Sequence, residues 1–150
     1  MSGSLYSGYG VEFWVPDEWT LSEDRQENRV SINVESPDTS FWSLTLFFDR
    51  PDPQRVAEAV LDAFREEYDN LDVYRADQEV GPFRVVGRDI EFFCWDLLNS
   101  AFLRVFQTER CTVLVLFQGT ETELSETRPI LDRISKSLRF DPSLGRFDGL

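Results

Sequence analysis

Histidine is absent from this 150-residue chain, and lysine occurs once, at Lys136. Without an imidazole there is no Ser-His-Asp or Cys-His pair and no base that titrates near neutral pH, and the commonest metal ligand is missing. Lys136 is the one candidate for Schiff-base chemistry, and it sits in what reads as an exposed helical turn. Cys94 and Cys111 each lie inside an apolar, strand-like run and read as small buried hydrophobes, with a bridge between neighbouring strands left open. Carboxylates are numerous but scattered. Asp69-Asn70-Leu71-Asp72 lacks the alternating ligands and the glycine of a calcium loop. Asp49 and Asp52 flank a helix entry and read as turn and cap. Nothing places two acids across a cleft, as glycoside cleavage requires. The expectation is a non-enzymatic chain with no cofactor and no metal.

The residues best suited to an interaction are aromatic. The chain holds thirteen Phe and four Trp, enough for a core with an apolar contact face besides. Trp14, Trp42, Phe47, Phe93 and Trp95 are the candidates, because Trp in particular is favoured at binding hot spots. Glu91 and Arg104 lie near them in sequence and would supply a polar rim. The candidate partner-binding set is therefore Trp42, Phe47, Phe93, Trp95, Glu91 and Arg104. The formal charge of −13 disfavours nucleic acid and anionic membranes and favours a cationic or partly basic protein surface. No run approaches the roughly 18 apolar residues of a membrane helix. The first ten residues have neither the basic start nor the apolar segment of an export signal, so a cytoplasmic location is expected.

The elements that would carry these residues follow from hydrophobic periodicity. Val11, Phe13 and Val15 alternate with polar neighbours, as do Val30, Ile32 and Val34, and both runs predict strands. Between them, residues 25–29 read as a polar loop. Trp42, Leu44, Leu46 and Phe48 share one face of a third strand, with Ser43, Thr45 and Phe47 on the other. Asp52 and Pro53 then signal a helix over residues 53–69, with Val56, Ala57, Val60, Leu61, Phe64 and Tyr68 along one stripe.

Further strands are expected at 71–75, at 83–86 after a Gly81-Pro82 turn, at 90–98, at 101–108 and at 111–118. Turns at Asn99-Ser100 and Glu109-Arg110 would make the last three an antiparallel meander. Alternation puts Ile90, Phe92 and Cys94 on one face and Phe93, Trp95 and Leu97 on the other. Both faces of the meander are apolar and must be covered, by one helix each or by two helices on one side. Thr120 and Glu123 fit a capping box. Leu124, Ile130, Leu131, Ile134 and Leu138 line the helix that follows, and Pro129 lies either in its first turns or inside a longer helix. The order predicts an α+β fold, a mostly antiparallel sheet flanked by two main helices. Residues 1–8 are expected to be flexible, residues 9–140 to form a single domain, and residues 141–150 to be a tail.

The opening Tyr9-Gly10-Val11-Glu12-Phe13-Trp14-Val15-Pro16-Asp17-Glu18-Trp19 resembles the start of PsbP-like domains. The ending, residues 130–140, with Ile134, Ser137, Leu138 and Phe140, is similar to their closing helix and its I-x-x-S-L-x-F finish. The superfamily takes in the photosystem subunit PsbP, Ran-binding Mog proteins, bacterial DcrB-like proteins and adaptor chaperones of type VI secretion. The resemblance implies an αβα sandwich and a protein that binds other proteins or ions rather than an enzyme. Many bacterial relatives are exported lipoproteins, whereas this sequence shows no lipidation cysteine near its start. The leading expectation is a protein-interaction or chaperone-like adaptor domain, with a homodimer as one form. The alternatives are a structural or envelope-associated subunit, and an enzyme with an unrecognised carboxylate site.

Overall fold

The computed structural model describes residues 1–140, so the tail expected at residues 141–150 lies outside the described residues. The elements run β1 (Gly3–Gly8), β2 (Val11–Pro16), β3 (Thr20–Gln26), β4 (Arg29–Glu35), β5 (Phe41–Phe47), α1 (Pro53–Glu67), β6 (Asp72–Arg75), β7 (Gln78–Val80), β8 (Phe83–Cys94), β9 (Leu97–Gln107), β10 (Thr112–Thr120), α2 (Glu121–Ser137) and β11 (Arg139–Phe140). The main sheet has the order β3-β4-β5-β10-β9-β8-β6, with β7 also paired to β8. A second sheet of three strands has the order β1-β2-β11. Every pairing is antiparallel.

The two long helices take opposite faces of the main sheet. Val56, Ala57 and Leu61 of α1 pack with Ile90, Phe92, Ala101, Leu103, Val105 and Leu114. On the other face, Leu131, Ile134 and Leu138 join Trp42, Leu44, Leu46, Phe106, Val113 and Val115, and the small sheet adds Val11, Phe13 and Val15. Of the two coverings open to the sequence, one helix per face is the one adopted, because α1 and α2 each bury a single apolar stripe against their own side.

The opening and closing motifs meet in the small sheet. Val11 pairs with Phe140 and Glu12 with Arg139. The Ser137 hydroxyl accepts the Trp14 amide at 2.8 Å and donates to the Ile134 carbonyl at 2.6 Å. Arg133 lies 3.9 Å over the Trp14 ring.

Several expectations are corrected. Residues 3–8, expected to be flexible, form β1, which hairpins onto β2 through Tyr9-Gly10. The φ of +80° at Gly10 is why glycine stands there. Tyr6 anchors the strand by stacking on Phe13 (5.0 Å) and donating to Glu23 (2.8 Å). Residues 20–26, for which no strand was expected, form the wholly exposed edge strand β3, whose polar composition leaves no alternation to read. The strands expected at 83–86 and 90–98 are one strand, β8. Gly87 lies inside it because the Ala76 carbonyl crosses where a Cβ would stand, 2.2 Å away. The β8–β9 turn is Trp95-Asp96, not Asn99-Ser100: Cys94 pairs with Leu97, and Asn99 and Ser100 lie within β9.

Helix α2 begins at Glu121 and runs through Pro129. The Thr120 hydroxyl accepts the Glu123 amide at 3.2 Å, so the cap forms. The carboxylate half of the expected box does not, because Glu123 turns to the β4–β5 loop. There it accepts from the Ser36 hydroxyl (2.9 Å), the Ser40 amide (3.1 Å), and the Thr39 amide and hydroxyl. Partial burial pushes this carboxyl up, but the Thr39, Ser40 and Ser36 donors outweigh it and hold the group below the usual range. Glu123→Ala should therefore cost about 1–3 kcal/mol in urea unfolding near neutral pH. The gap between variant and parent should close on acidification, since a depressed carboxyl loses its advantage when both states are protonated.

Candidate functional site

The β8–β9 hairpin projects an apolar tip. Its two-residue loop holds Trp95 and Asp96 at φ +55° and +61°, the left-handed pair that tight hairpins normally fill with Asn-Gly or Asp-Gly. For a residue with a Cβ this region costs roughly 1–2 kcal/mol. Trp95 is nevertheless 93% exposed, and beside it Phe93 is 65% exposed. Leu97 and Tyr74 are likewise more than half exposed. Trp95 thus combines an unfavourable backbone with an unburied side chain, and neither contributes to folding.

Strand register shows what stands around the tip. Residues directly opposite in an antiparallel pair share a face. Phe93 faces Leu98, and two residues back Glu91 faces Ser100 on one side and Asp72 on the other. Tyr74 faces Asp89. The Tyr74 hydroxyl is hydrogen-bonded to Glu91, and this bond, with the Glu91 charge, raises its pKa. Helix α1 ends against the same hairpin, with the Tyr68 ring 4.3 Å from Phe92.

The sequence-derived candidates separate into three places. Phe93, Trp95 and Glu91 belong to the tip. Trp42 does not: it is 0% exposed, its ring lies 4.8 Å from Phe13, and its indole N–H donates to the Ser135 hydroxyl at 2.8 Å. Arg104 is 9% exposed and is held by the Asp89 carboxylate (2.8 Å) and the Leu103 carbonyl (2.9 Å), so it braces the sheet rather than rimming a contact. Phe47 lies on the α1 face, in a groove of about 840 Å³ lined also by Ser31, Val60, Phe64, Leu114 and Leu116. Trp14, the further aromatic candidate, is buried under Arg133. Tyr74, Asp72, Asp96 and Leu97 belong to the tip and were missed. The signal for the turn was present, an Asp between two apolar runs, but a Trp before it reads as strand.

The two cysteines are free and lie at opposite ends of β9, Cys94 by the Trp95 turn and Cys111 by the β9–β10 turn, so they do not face each other across neighbouring strands. Among the described residues no three His, Cys, Asp or Glu side chains gather as a metal-holding group. No helix among them is long and apolar enough to cross a membrane.

No family model matches the sequence, and no curated protein matches it. Solved structures do match the fold. Cyanobacterial PsbP (CyanoP) from Synechocystis superposes with a TM-score of 0.67 at 10% identity, covering 91% of each chain. PA94 of Pseudomonas aeruginosa, described as a protein of unknown function and putative regulator, gives 0.51 at 13% identity, covering 85% of this chain and 90% of its own. LpqN, described as involved in cell envelope biogenesis of Mycobacterium tuberculosis, gives 0.51 at 12% identity over 93% and 86%. The chain has the PsbP-like fold, an antiparallel sheet between two helices. At these identities the likeness extends to architecture and not to activity.

Proposed function

We propose that this protein is a non-enzymatic docking module that engages another protein through the β8–β9 hairpin tip. The observation that carries the reading is Trp95. A bulky aromatic placed in solvent on a left-handed backbone serves no packing purpose, and strain of this kind is characteristic of functional sites. Two ordered strands hold the tip, so little freedom is lost when it docks. Phe93, Leu97 and Tyr74 extend the apolar surface, and Glu91, Asp72 and Asp96 border it.

The test compares tagged wild-type and Trp95→Ala protein in capture from native lysate, followed by titration of the purified partner. Trp95→Ala should weaken binding about thirtyfold or more, as loss of a central Trp anchor does, with the melting temperature unchanged. The double variant Trp95→Asn/Asp96→Gly restores a favoured hairpin turn. It should gain about 1 kcal/mol of stability while losing the same partner. Equal capture by the wild type and both variants would remove the tip from the interaction.

A further inference from the structure

We propose that the hairpin tip takes a cationic protein segment, rich in arginine or lysine, seated between the exposed rings and the carboxylate pair Asp72 and Glu91. This rests on the tip being the docking surface and adds the chemistry of what docks there.

The first ground is the like-charge pair. Asp72 and Glu91 stand directly opposite each other on β6 and β8, on the face that carries Phe93 and Tyr74. Like charges directly opposite in an antiparallel pair destabilise it. Two acids nearby are matched by arginine: Asp89 on β8 by Arg104, and Asp77, between β6 and β7, by Arg75 and Arg88. Among the described residues no arginine or lysine forms an ion pair with Asp72 or Glu91. A cation arriving from outside would relieve this repulsion and gain two charge-assisted bonds.

The second ground is the use this chain makes of guanidinium on aromatic rings. Arg128 lies 4.0 Å over Phe102, Arg133 lies 3.9 Å over Trp14, and Arg25 lies over both Tyr9 and Phe48. Among the described residues no such contact is made to Trp95, Phe93 or Tyr74, the most exposed rings there. Their faces are open to a cation, and Trp is the strongest acceptor of one.

The third ground is the sign of the surroundings. Asp96 sits in the turn itself, and Asp72 and Glu91 stand on the strands behind it. This end therefore adds a local negative field to a chain of formal charge −13. A second copy docking by the same end would set carboxylate against carboxylate, and an anionic bilayer would be repelled.

The experiment titrates the full chain with deca-arginine, deca-lysine and deca-glutamate peptides, read by amide chemical shifts and calorimetry at about 50 and 300 mM salt. Deca-arginine should bind most tightly and deca-glutamate not at all. Shifts should centre on residues 72–74 and 91–98. Asp72→Asn/Glu91→Gln and Trp95→Ala should each weaken deca-arginine about tenfold or more. Glu58→Gln/Glu126→Gln, which removes the same charge from the exposed faces of the two helices, should change it less than about twofold.

Equal weakening by the remote pair would reduce the effect to diffuse charge attraction and overturn the proposal. Trp95-dependent binding to phosphatidylcholine vesicles without peptide binding would assign the tip to a lipid surface. Trp95-dependent self-association without peptide binding would assign it to a second copy. Either result overturns the cationic partner. A lysate partner that needs Trp95 but binds Asp72→Asn/Glu91→Gln equally well would overturn the cationic chemistry and leave the docking reading standing. A partner indifferent to Trp95 would overturn both.

Discussion

Trp42→Ala should lower the unfolding free energy by about 4–8 kcal/mol and the melting temperature by roughly 10–30 °C. Truncating a buried Trp typically costs about 3–5 kcal/mol, and the Ser135 hydroxyl, itself fully buried, loses its partner for about 1–3 more. At roughly 2–4 °C per kcal/mol for a chain of this size, the shift is large. It approaches the whole stability of an ordinary domain. Ser135→Ala separates the two terms, keeping the whole indole against Phe13 and removing only the acceptor of its N–H. It should cost about 2 kcal/mol. A Trp42→Ala protein that melts with the wild type would contradict the buried placement. The contrast with Trp95 is sharp: the same substitution, two tryptophans on one sheet, and opposite effects on stability and binding.

Asp77→Ala should cost about 2–3 kcal/mol. Its carboxylate accepts from Arg88 (2.7 Å), Arg75 (2.6 Å) and the Gly87 amide (3.0 Å), and so fastens the β6–β7 corner onto β8 at the glycine it crosses. The Arg88 side chain is only 11% exposed. Breaking a fully buried pair from one side costs about 3–5 kcal/mol; Asp77 is about one-third exposed, so water screens part of that loss. Arg88→Met in the Asp77→Ala background should recover part of the cost by removing the stranded charge.

The acid limb gives an independent check. Partial burial pushes the Asp77 carboxyl up, but the Gly87 amide, Arg75 and Arg88 together outweigh this and bring it to about 2. A depressed carboxyl stabilises the fold above its unfolded pKa. The contribution of Asp77 should therefore be complete above about pH 4 and fade as the pH falls through about 2. Wild type and Asp77→Ala, compared by urea unfolding across this range, should converge at its acid end. A constant difference would assign the effect to packing alone.

Much of the architecture was legible from periodicity. The 2.0 and 3.6 repeats placed β2, β4, β5, α1 and α2, and Asp52 with Pro53 marked the start of α1 at its observed residue. The opening and closing motifs pointed to the PsbP-like fold, and the solved structures bear that out. Local signals failed where the chain departs from local preference. Strand β1 has one buried residue, Tyr6, and β3 has none, so neither carries an alternation; both are strands because a neighbour offers its hydrogen bonds. The Trp95-Asp96 turn was hidden because a bulky apolar residue at positive φ contradicts turn chemistry, and only the Cys94–Leu97 register exposes it.

The sequence by itself determined which side chains were available: no imidazole, one lysine, many carboxylates and an excess of large rings. Those are matters of covalent identity and need no geometry. Which rings became core and which surface was decided by tertiary structure alone. Trp42 and Trp95 look alike along the chain, each in an apolar run with a period of two. Trp42 lies in a central strand of the sheet, under α2 and the small sheet, where its N–H finds Ser135. Trp95 lies where β8 turns back, and its side chain stands in solvent. Burial is a sum over neighbours distant in sequence, and no local pattern contains that sum.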